Sequence, residues 1–598
     1  MPTPLPPGTD NFWGEYGADE WSDAIVASMK LGGIEHLFFV SGTEMNYYQE
    51  ATAKAQVRGW PAPKLVTMIH ESVALNAALG VAMVSGQPSA ATVHVDVGTL
   101  HYGAAVHTAW RGAYPVLMTA GTGPRAFPGS MRGARDSHVQ WLQEPRDQGE
   151  IVRQYTKADH RLEHQDNPGL MVSRLLQLAM SEPRGPVYMS IPRETAMLPL
   201  PGTTRFPTRD QLGVSRPLWP DPDDARAIAR WLVKSENPVI FTDRLGHDPD
   251  AVPELVRLAE LLALPVNESS NSDRINFPMT HALYGTGPAA PDADVVLVFE
   301  SVAPYRPGLE SPPAQAKIAW ISVDPVMSRF KTMEFRADLW IAATPGKVAR
   351  AIHDAATGML DHTDLARIAA RRRRLEEKRH KALALQTQQA AAAGKLGHPT
   401  GRWVAHELGG LLTPEAIVLN DGLSNGPFVQ NYAMRAQPGT YYRSGSSSGG
   451  WGSGAAFGAK LAAPERDVVL ASGDGYFAFG TPMAALWAAT YHKAPFLSVV
   501  FVNGSYSTGT SGLRKSYPEG YAVKSGNYAG GSFDPPPDFA KLSEAAGGYG
   551  EYVTATAAVG AALQRGLREV RAGRPAVIAV RVPGPLQQDA APATAGGD

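Results

Sequence analysis

The residues best placed to do chemistry lie in two short segments. Asp467-Val-Val-Leu-Ala-Ser-Gly473-Asp474-Gly475 reads as a buried strand ending in an acidic turn. Residues 496–502 read as a second buried strand, ending at Asn503-Gly504-Ser505-Tyr506. The stretch between them has room for a helix, so one strand–helix–strand crossover brings Asp474 and Asn503 to the carboxyl ends of parallel strands. Open α/β sheets bind ligands there. A carboxylate, an amide oxygen and the Ser505 carbonyl form a hard oxygen set with coordination positions to spare, which suits Mg2+ bridged to a diphosphate. Gly473 and Gly475 let backbone and a helix N-terminus approach phosphate oxygens. A Gly-Asp-Gly turn alone is common; its pairing with an asparagine at crossover spacing carries the reading.

The elements that must position these residues recur along the whole chain. Short apolar runs at 36–40, 91–95, 115–119, 187–191, 238–242, 295–299, 318–323, 416–419, 468–471, 496–502 and 576–582 read as strands. Longer stretches at 72–84, 223–234, 253–263, 345–355, 482–491 and 555–572 read as helices. This alternation predicts an α/β protein of three doubly wound parallel-sheet domains. A proline- and threonine-rich linker at about 198–219 closes an N-terminal domain at 13–197. A central domain follows at 220–356, then a linker at 357–400 and a C-terminal domain at 401–585. The linker's Arg371–Arg374 run is followed by Glu376 and Glu377 and reads as a solvated helix rather than a nucleic-acid patch. Residues 1–12 and 585–598 are small, polar or proline-rich and read as frayed ends.

Composition bounds the rest. The 598 residues are 44% apolar and 19% charged, with a net charge of −2. That balance gives no electrostatic reason for nucleic acid or an anionic membrane as partner. The absence of cysteine excludes disulfides, thiolate metal sites and cysteine nucleophiles. No basic, apolar leader pattern opens the chain and no apolar run is long enough to span a bilayer, so a cytoplasmic enzyme is expected.

Gly473-Asp474-Gly475 followed by Asn503 resembles the signature of thiamine-diphosphate-dependent enzymes. Ala455-Ala-Phe-Gly-Ala-Lys-Leu-Ala-Ala-Pro-Glu-Arg466 resembles their acetolactate synthase and benzoylformate decarboxylase branch. The resemblance spans nearly the whole chain. It implies a domain for the aminopyrimidine, a central domain and one for the diphosphate, with thiamine diphosphate and Mg2+ as cofactors. It also implies a homodimer or homotetramer whose active sites are shared between subunits. By the same resemblance Asp474, Asn503 and Ser505 are the metal ligands. Leu423, Ser424, Ser447, Gly449, Gly473, Gly475, Tyr476 and Tyr506 join them around the cofactor.

The resemblance makes Glu71, in Met68-Ile69-His70-Glu71-Ser72, the carboxylate that hydrogen-bonds the aminopyrimidine and promotes loss of the thiazolium C2 proton. Read as a helix N-terminal acid, the same residue would contribute only ~0.3–1 kcal/mol through the dipole. His94, in a segment His94-Val-Asp-Val-Gly98-Thr expected as a turn facing the cofactor, matches an active-site histidine of benzoylformate decarboxylase. A histidine there can shuttle a proton. His101 matches a position usually held by asparagine. Thr43 is the hydroxyl of the loop Ser41–Glu44, and Tyr506 opens a polar segment expected as a lid. These give Glu71, His94, Thr43 and Tyr506 as the catalytic set.

Three positions depart from the family pattern. Val502 stands for the first residue of an Asn-Asn pair. Tyr476 stands where a small hydroxyl residue is usual. Gly449, in Gly445-Ser-Ser-Ser-Gly-Gly-Trp451-Gly, stands where relatives carry a bulky apolar side chain that wedges the cofactor into its bent form; Trp451 is the candidate substitute. The central domain has no Gly-x-Gly-x-x-Gly after its first strand, only Asp243-Arg244-Leu-Gly246. Relatives hold FAD, ADP or nothing there, and no required flavin is expected.

The leading expectation is an acetolactate-synthase-like lyase or carboligase acting on a 2-oxo acid. The alternatives are a non-ligating decarboxylase like benzoylformate decarboxylase, and a 2-hydroxyacyl-CoA lyase or oxalyl-CoA decarboxylase. A homologue that has lost its chemistry is disfavoured by the intact Glu71, Asp474 and Asn503.

Overall fold

The computed structural model describes residues 13–270 and 272–584. The expected frayed ends therefore lie outside the described residues. Three all-parallel sheets carry the fold. The first runs Lys64–Thr67, His36–Phe39, Ser89–Val93, Val116–Thr122, Val187–Pro192, Asp159–Arg161 in spatial order. The second runs Val266–Asn267, Pro238–Thr242, Val295–Phe299, Lys317–Ser322, Leu339–Ala342. The third runs Tyr441–Tyr442, Ile417–Asp421, Val468–Gly473, Leu497–Val502, Ala576–Arg581, Tyr549–Val553. Numbered within each unit, the first and third sheets share one strand order, 2-1-3-4-6-5. In both, the chain reverses its winding between strands 1 and 3. That switch point opens a crevice at the strand ends, the place such sheets bind ligands.

The central strands are continuous apolar runs because both faces are covered by helices. Val468–Ala471, Leu497–Val502 and Ala576–Val580 are all buried. The first and third units are also welded to each other. Helix Glu71–Ser85 lies against helix Gly452–Ala462 so closely that a Cβ on Gly458 would stand 1.9 Å from the Ala77 carbonyl oxygen. One on Gly80 would stand 2.1 Å from that of Ala455. Only glycine permits this approach, and it merges apolar residues of both units into one core.

Two expectations about connections change. The segment expected as the first linker contains strand Pro199–Phe206, which pairs antiparallel with Gly14–Glu20. Its proline and threonine content marks an edge ribbon rather than free chain, because proline is tolerated where no ladder donor is needed. The second linker is helix His362–Ala393. Arg371 on it is buried rather than solvated, donating to the carbonyls of Ser235 and Leu262 at 2.9 and 2.6 Å. That side chain ties the helix to the central unit.

Candidate active site

Asp474 is the first residue after strand Val468–Gly473 and is 2% exposed. Its Oδ2 accepts from the backbone N–H groups of Asn503 and Gly504 at 2.8 and 2.7 Å, and Oδ1 from that of Gly475 at 2.9 Å. One carboxylate thus fastens the loop after strand Leu497–Val502 to the turn before it. Asn503 Oδ1 accepts from Ser505 N–H at 2.9 Å and Ser505 Oγ at 3.0 Å, curling the loop over the strand end. The structure therefore brings Asp474, Asn503 and Ser505 together.

These residues fit a hard cation and a diphosphate. Burial raises the Asp474 pKa against the pull of its backbone donors, so a cation at its oxygens would stabilise the charged form. A carbonyl oxygen such as Asn503 Oδ1 has two lone pairs and can serve an ion as well as Ser505. A side chain on Gly473 would meet nothing within 4 Å, which leaves open space over the turn.

Strand 1 of the same sheet, Ile417–Asp421, delivers Leu423 and Ser424 to the other side of the switch point, both exposed. Ser447 is exposed on the neighbouring loop. That loop is pinned by Asp421, which the sequence did not single out. Its buried carboxylate accepts from Gly450 N–H at 3.0 Å and Gly452 N–H at 3.1 Å, and burial pushes it up to about 7.

Two of the departures from the family pattern prove to be one feature. A Cβ on Gly449 would lie 2.3 Å from the Tyr476 ring. The tyrosine occupies the space that a side chain at 449 would take, so a large residue and a small one have exchanged places. Trp451 does not fill it; its side chain is buried in the core shared by the first and third units. Tyr506 is 44% exposed, stacks on Phe479 with centroids 5.9 Å apart, and passes close to Gly475. The segment expected as a lid begins as helix Ser507–Ser516.

The first sheet's switch point lies between His36–Phe39 and Ser89–Val93 and holds Thr43 and His94. His94 does not stand on a glycine-rich turn as expected. It is the residue before helix Val95–Arg111, and Gly98 lies inside that helix. Val95 is forced to φ 46°, a costly setting for a β-branched residue, and Gly103 breaks the helix at φ 37°, ψ −119°. Backbone strain at both ends of 95–103 fits a segment held for function.

Sequence reasoning missed Glu44, the partner of both Thr43 and His94. It is fully buried and accepts from Thr43 Oγ1 at 2.6 Å, from Gln140 Nε2 at 2.9 Å and from His94 Nε2 in a short contact. Burial alone would raise its pKa; the bonds from His94, Thr43 and Gln140 outweigh it and hold the carboxyl at about 2. An ionised Glu44 fixes the imidazole by its Nε2–H and leaves Nδ1 without a bond to any described residue. Gly42 permits this, since a Cβ there would lie 2.2 Å from the His94 ring. The signal was available in the sequence only as an acid beside the expected hydroxyl.

Glu71 begins helix Glu71–Ser85 and is 17% exposed at its side chain. Its Oε2 lies 3.0 Å from His101 Nδ1. Ile69, two residues before Glu71, and Val97 and Leu100, on the segment that carries His101, are exposed.

Comparison with known proteins decides what these two switch points share. Residues 19–151 match the thiamine pyrophosphate enzyme N-terminal TPP binding domain, and residues 422–580 match the C-terminal TPP binding domain. The chain belongs to the thiamine pyrophosphate enzyme family. Within that family it is 28% identical to a benzoylformate decarboxylase of Pseudomonas aeruginosa, over 73% of this chain and 78% of that one. It is 27% identical to a sulfoacetaldehyde acetyltransferase of Castellaniella defragrans, over 81% of each. A probable acetolactate synthase of Mycobacterium bovis is 25% identical over 93% of this chain and 94% of that one. The fold matches a thiamine diphosphate-dependent 4-hydroxybenzoylformate decarboxylase of Rhodococcus jostii with a TM-score of 0.73 at 20% identity, covering 94% and 99% of the two chains.

A large cavity lies where the central unit meets the other two, with Trp110, Arg111, Tyr442 and Arg466 also on its wall. About 860 Å3 opens at the carboxyl ends of the central unit's strands, lined among others by Arg244, Glu300, Ser301, Asp324 and Arg329. Asp243 is not free to serve it, being buried and bonded to Ser301 and to the Ser269 N–H. No helix among the described residues is long and apolar enough to cross a membrane.

Two outcomes follow from this geometry. Asp474→Ala removes the charged group expected to meet the ion and the clamp on the Asn503 loop, so Mg2+-dependent binding of thiamine diphosphate, read by calorimetry, should be abolished; unchanged affinity would contradict the site. Gly449→Leu should lower the melting temperature, because evicting the Tyr476 ring costs about 1–3 kcal/mol. Adding Tyr476→Ser should recover most of that loss, whereas strictly additive effects would show that the two residues do not share one space.

Proposed function

We propose that the protein is a thiamine-diphosphate- and Mg2+-dependent 2-oxo acid decarboxylase that releases an aldehyde. The observation that carries the reading is the His94–Glu44 pair at the first switch point, in a chain that also presents Glu71 and the Asp474–Asn503 set. Bound thiamine diphosphate supplies a carbon that adds to the 2-oxo group and accepts the electron pair freed as CO2 leaves. Asp474, Asn503 and Ser505 would hold its metal ion. Glu71 would meet the aminopyrimidine ring and exchange a proton with it. His94, fixed by Glu44 through Nε2–H, would in its doubly protonated form have an Nδ1–H to give to the reacting carbon, and Thr43 lies next to Glu44 to contact the substrate. Tyr506 stands as an exposed wall beside Gly475. A general acid of this kind contributes ~10²–10⁴-fold in rate.

Protonation at that carbon favours release of an aldehyde over capture by a second carbonyl. This ranks simple decarboxylation above the acetolactate-synthase-like carboligation expected first. The carboligase reading is kept because the similarity to acetolactate synthase and sulfoacetaldehyde acetyltransferase covers most of the chain. We place the active site between two chains of a homodimer or homotetramer, joining Glu71 of one to Asp474 of another. The exposed apolar side chains of Ile69, Val97 and Leu100, on the two segments that carry Glu71 and His101, support that placement, because a partner chain would cover them.

The test supplies purified protein with thiamine diphosphate and Mg2+, without flavin or adenine nucleotide, and offers aliphatic and aromatic 2-oxo acids. The expected result is CO2 with one equivalent of aldehyde. His94→Ala should lower the rate by on the order of a hundredfold while cofactor affinity is kept. A 2-hydroxy ketone as the main product would establish the carboligase instead, and no CO2 from any member of the panel would contradict both.

A further inference from the structure

The ring of His101 touches the carboxylate on which the proposed chemistry turns. Glu71 Oε2 and His101 Nδ1 are 3.0 Å apart. With Glu71 as a carboxylate, which can only accept, the bond is made by a proton on Nδ1. That is the minor tautomer of free imidazole, and it requires a specific partner. Glu71 Oε1 makes no bond to any described residue, so the two oxygens are already differentiated.

The histidine is itself held from a second side. The His70 ring stacks on it, with centroids 5.6 Å apart and planes 8° from parallel. His70 stands immediately before Glu71, and its Nδ1 lies 3.1 Å from Ser72 Oγ. Burial lowers the His70 pKa, which keeps that ring neutral and lets it stack without like-charge repulsion. The segment presenting His101 is the strained stretch bounded by Val95 and Gly103. The Gly103 break stops the helix two residues after His101, so the short segment 95–102 is aimed separately from the rest of the helix. Three observations therefore converge on one imidazole: a directed hydrogen bond, a stacked neighbour and a helix broken beside it. A histidine that merely filled a helix face would need none of them.

We propose that His101 is a positioning residue for Glu71: its Nδ1–H fixes the carboxylate plane through Oε2, so that Oε1 alone is presented to the cofactor ring, with His70 as its backing. This deepens the reading given under the proposed function and rests on it. A carboxylate free to rotate would offer both oxygens in many orientations, and proton exchange falls when the acceptor leaves hydrogen-bond reach.

The experiment has two arms. The first uses full-length apo protein labelled with ¹⁵N-histidine, with His101→Gln to assign the resonance. The expected ¹⁵N shifts show an Nδ1-protonated His101, converting to the Nε2-protonated form in Glu71→Ala. An Nε2-protonated ring in the unmodified protein would overturn the proposal without reference to catalysis. The second arm measures exchange of the thiamine diphosphate C2 hydrogen for deuterium in the holoenzyme. His101→Asn keeps a donor and should exchange within about threefold of the unmodified protein, while His101→Leu should slow by about tenfold or more with cofactor affinity unchanged. Equal loss in both variants, or exchange as fast in His101→Leu as in the unmodified protein, would overturn it. Glu71→Gln separates the two ideas. Slow exchange there beside normal exchange in His101→Leu refutes the positioning role alone, whereas normal exchange in Glu71→Gln refutes the role of Glu71 itself.

Discussion

A single buried carboxylate organises the diphosphate end of the molecule. Asp474 accepts three backbone N–H groups from two loops that the sequence separates by a full crossover. Those donors would otherwise be unsatisfied at the ends of buried strands, where an unpaired polar group costs about 1–3 kcal/mol. The same bonds hold Asn503 and Ser505 within reach of whatever sits on the turn. Burial makes the charge itself unfavourable, and a cation at the carboxylate would offset that cost.

The pyrimidine end repeats the logic with different chemistry. The first and third sheets share a strand order, so each places its functional side chains at the reversal between its first and third strands. Where the third sheet has carboxylates clamping backbone, the first has carboxylates paired with imidazoles. Glu44 is wholly buried and ionised, and it orients His94. Glu71 is partly open and leaves one oxygen unbonded. Their exposure differs as their roles do. The buried acid stays charged and holds a neighbour, while the partly open one is the residue proposed to exchange a proton with the cofactor.

The three-sheet α/β architecture was legible because central strands such as Val295–Phe299 and, apart from Ser498, Leu497–Val502 are apolar runs with helix-length stretches between them. Strands that escaped notice lie at sheet edges or outside the three parallel sheets, among them Lys64–Thr67, Asp159–Arg161, Leu339–Ala342, Tyr549–Val553 and the ribbon Pro199–Phe206. They are mostly short, and in all but Leu339–Ala342 the half-exposed positions include polar residues, so their periodicity is weak. Asp474 and Asn503 were readable as a spaced pair on flanking strands. Glu44, Asp421 and the exchange between Gly449 and Tyr476 were not, because each is defined by contacts between segments far apart in sequence. The helix that replaces the expected turn after His94 was hidden by Gly98, which is tolerated inside a helix at a cost of about 1 kcal/mol.

If the proposed reading holds, Glu71 and Asp474 serve opposite ends of one thiamine diphosphate molecule. The most direct test is a crystal structure of the protein grown with thiamine diphosphate and Mg2+. The expected result is the diphosphate and metal ion on Asp474, Asn503 and Ser505 of one subunit, and the aminopyrimidine against Glu71 Oε1 of its partner. A cofactor bound with its diphosphate away from Asp474, or with its pyrimidine out of reach of every Glu71, would contradict it.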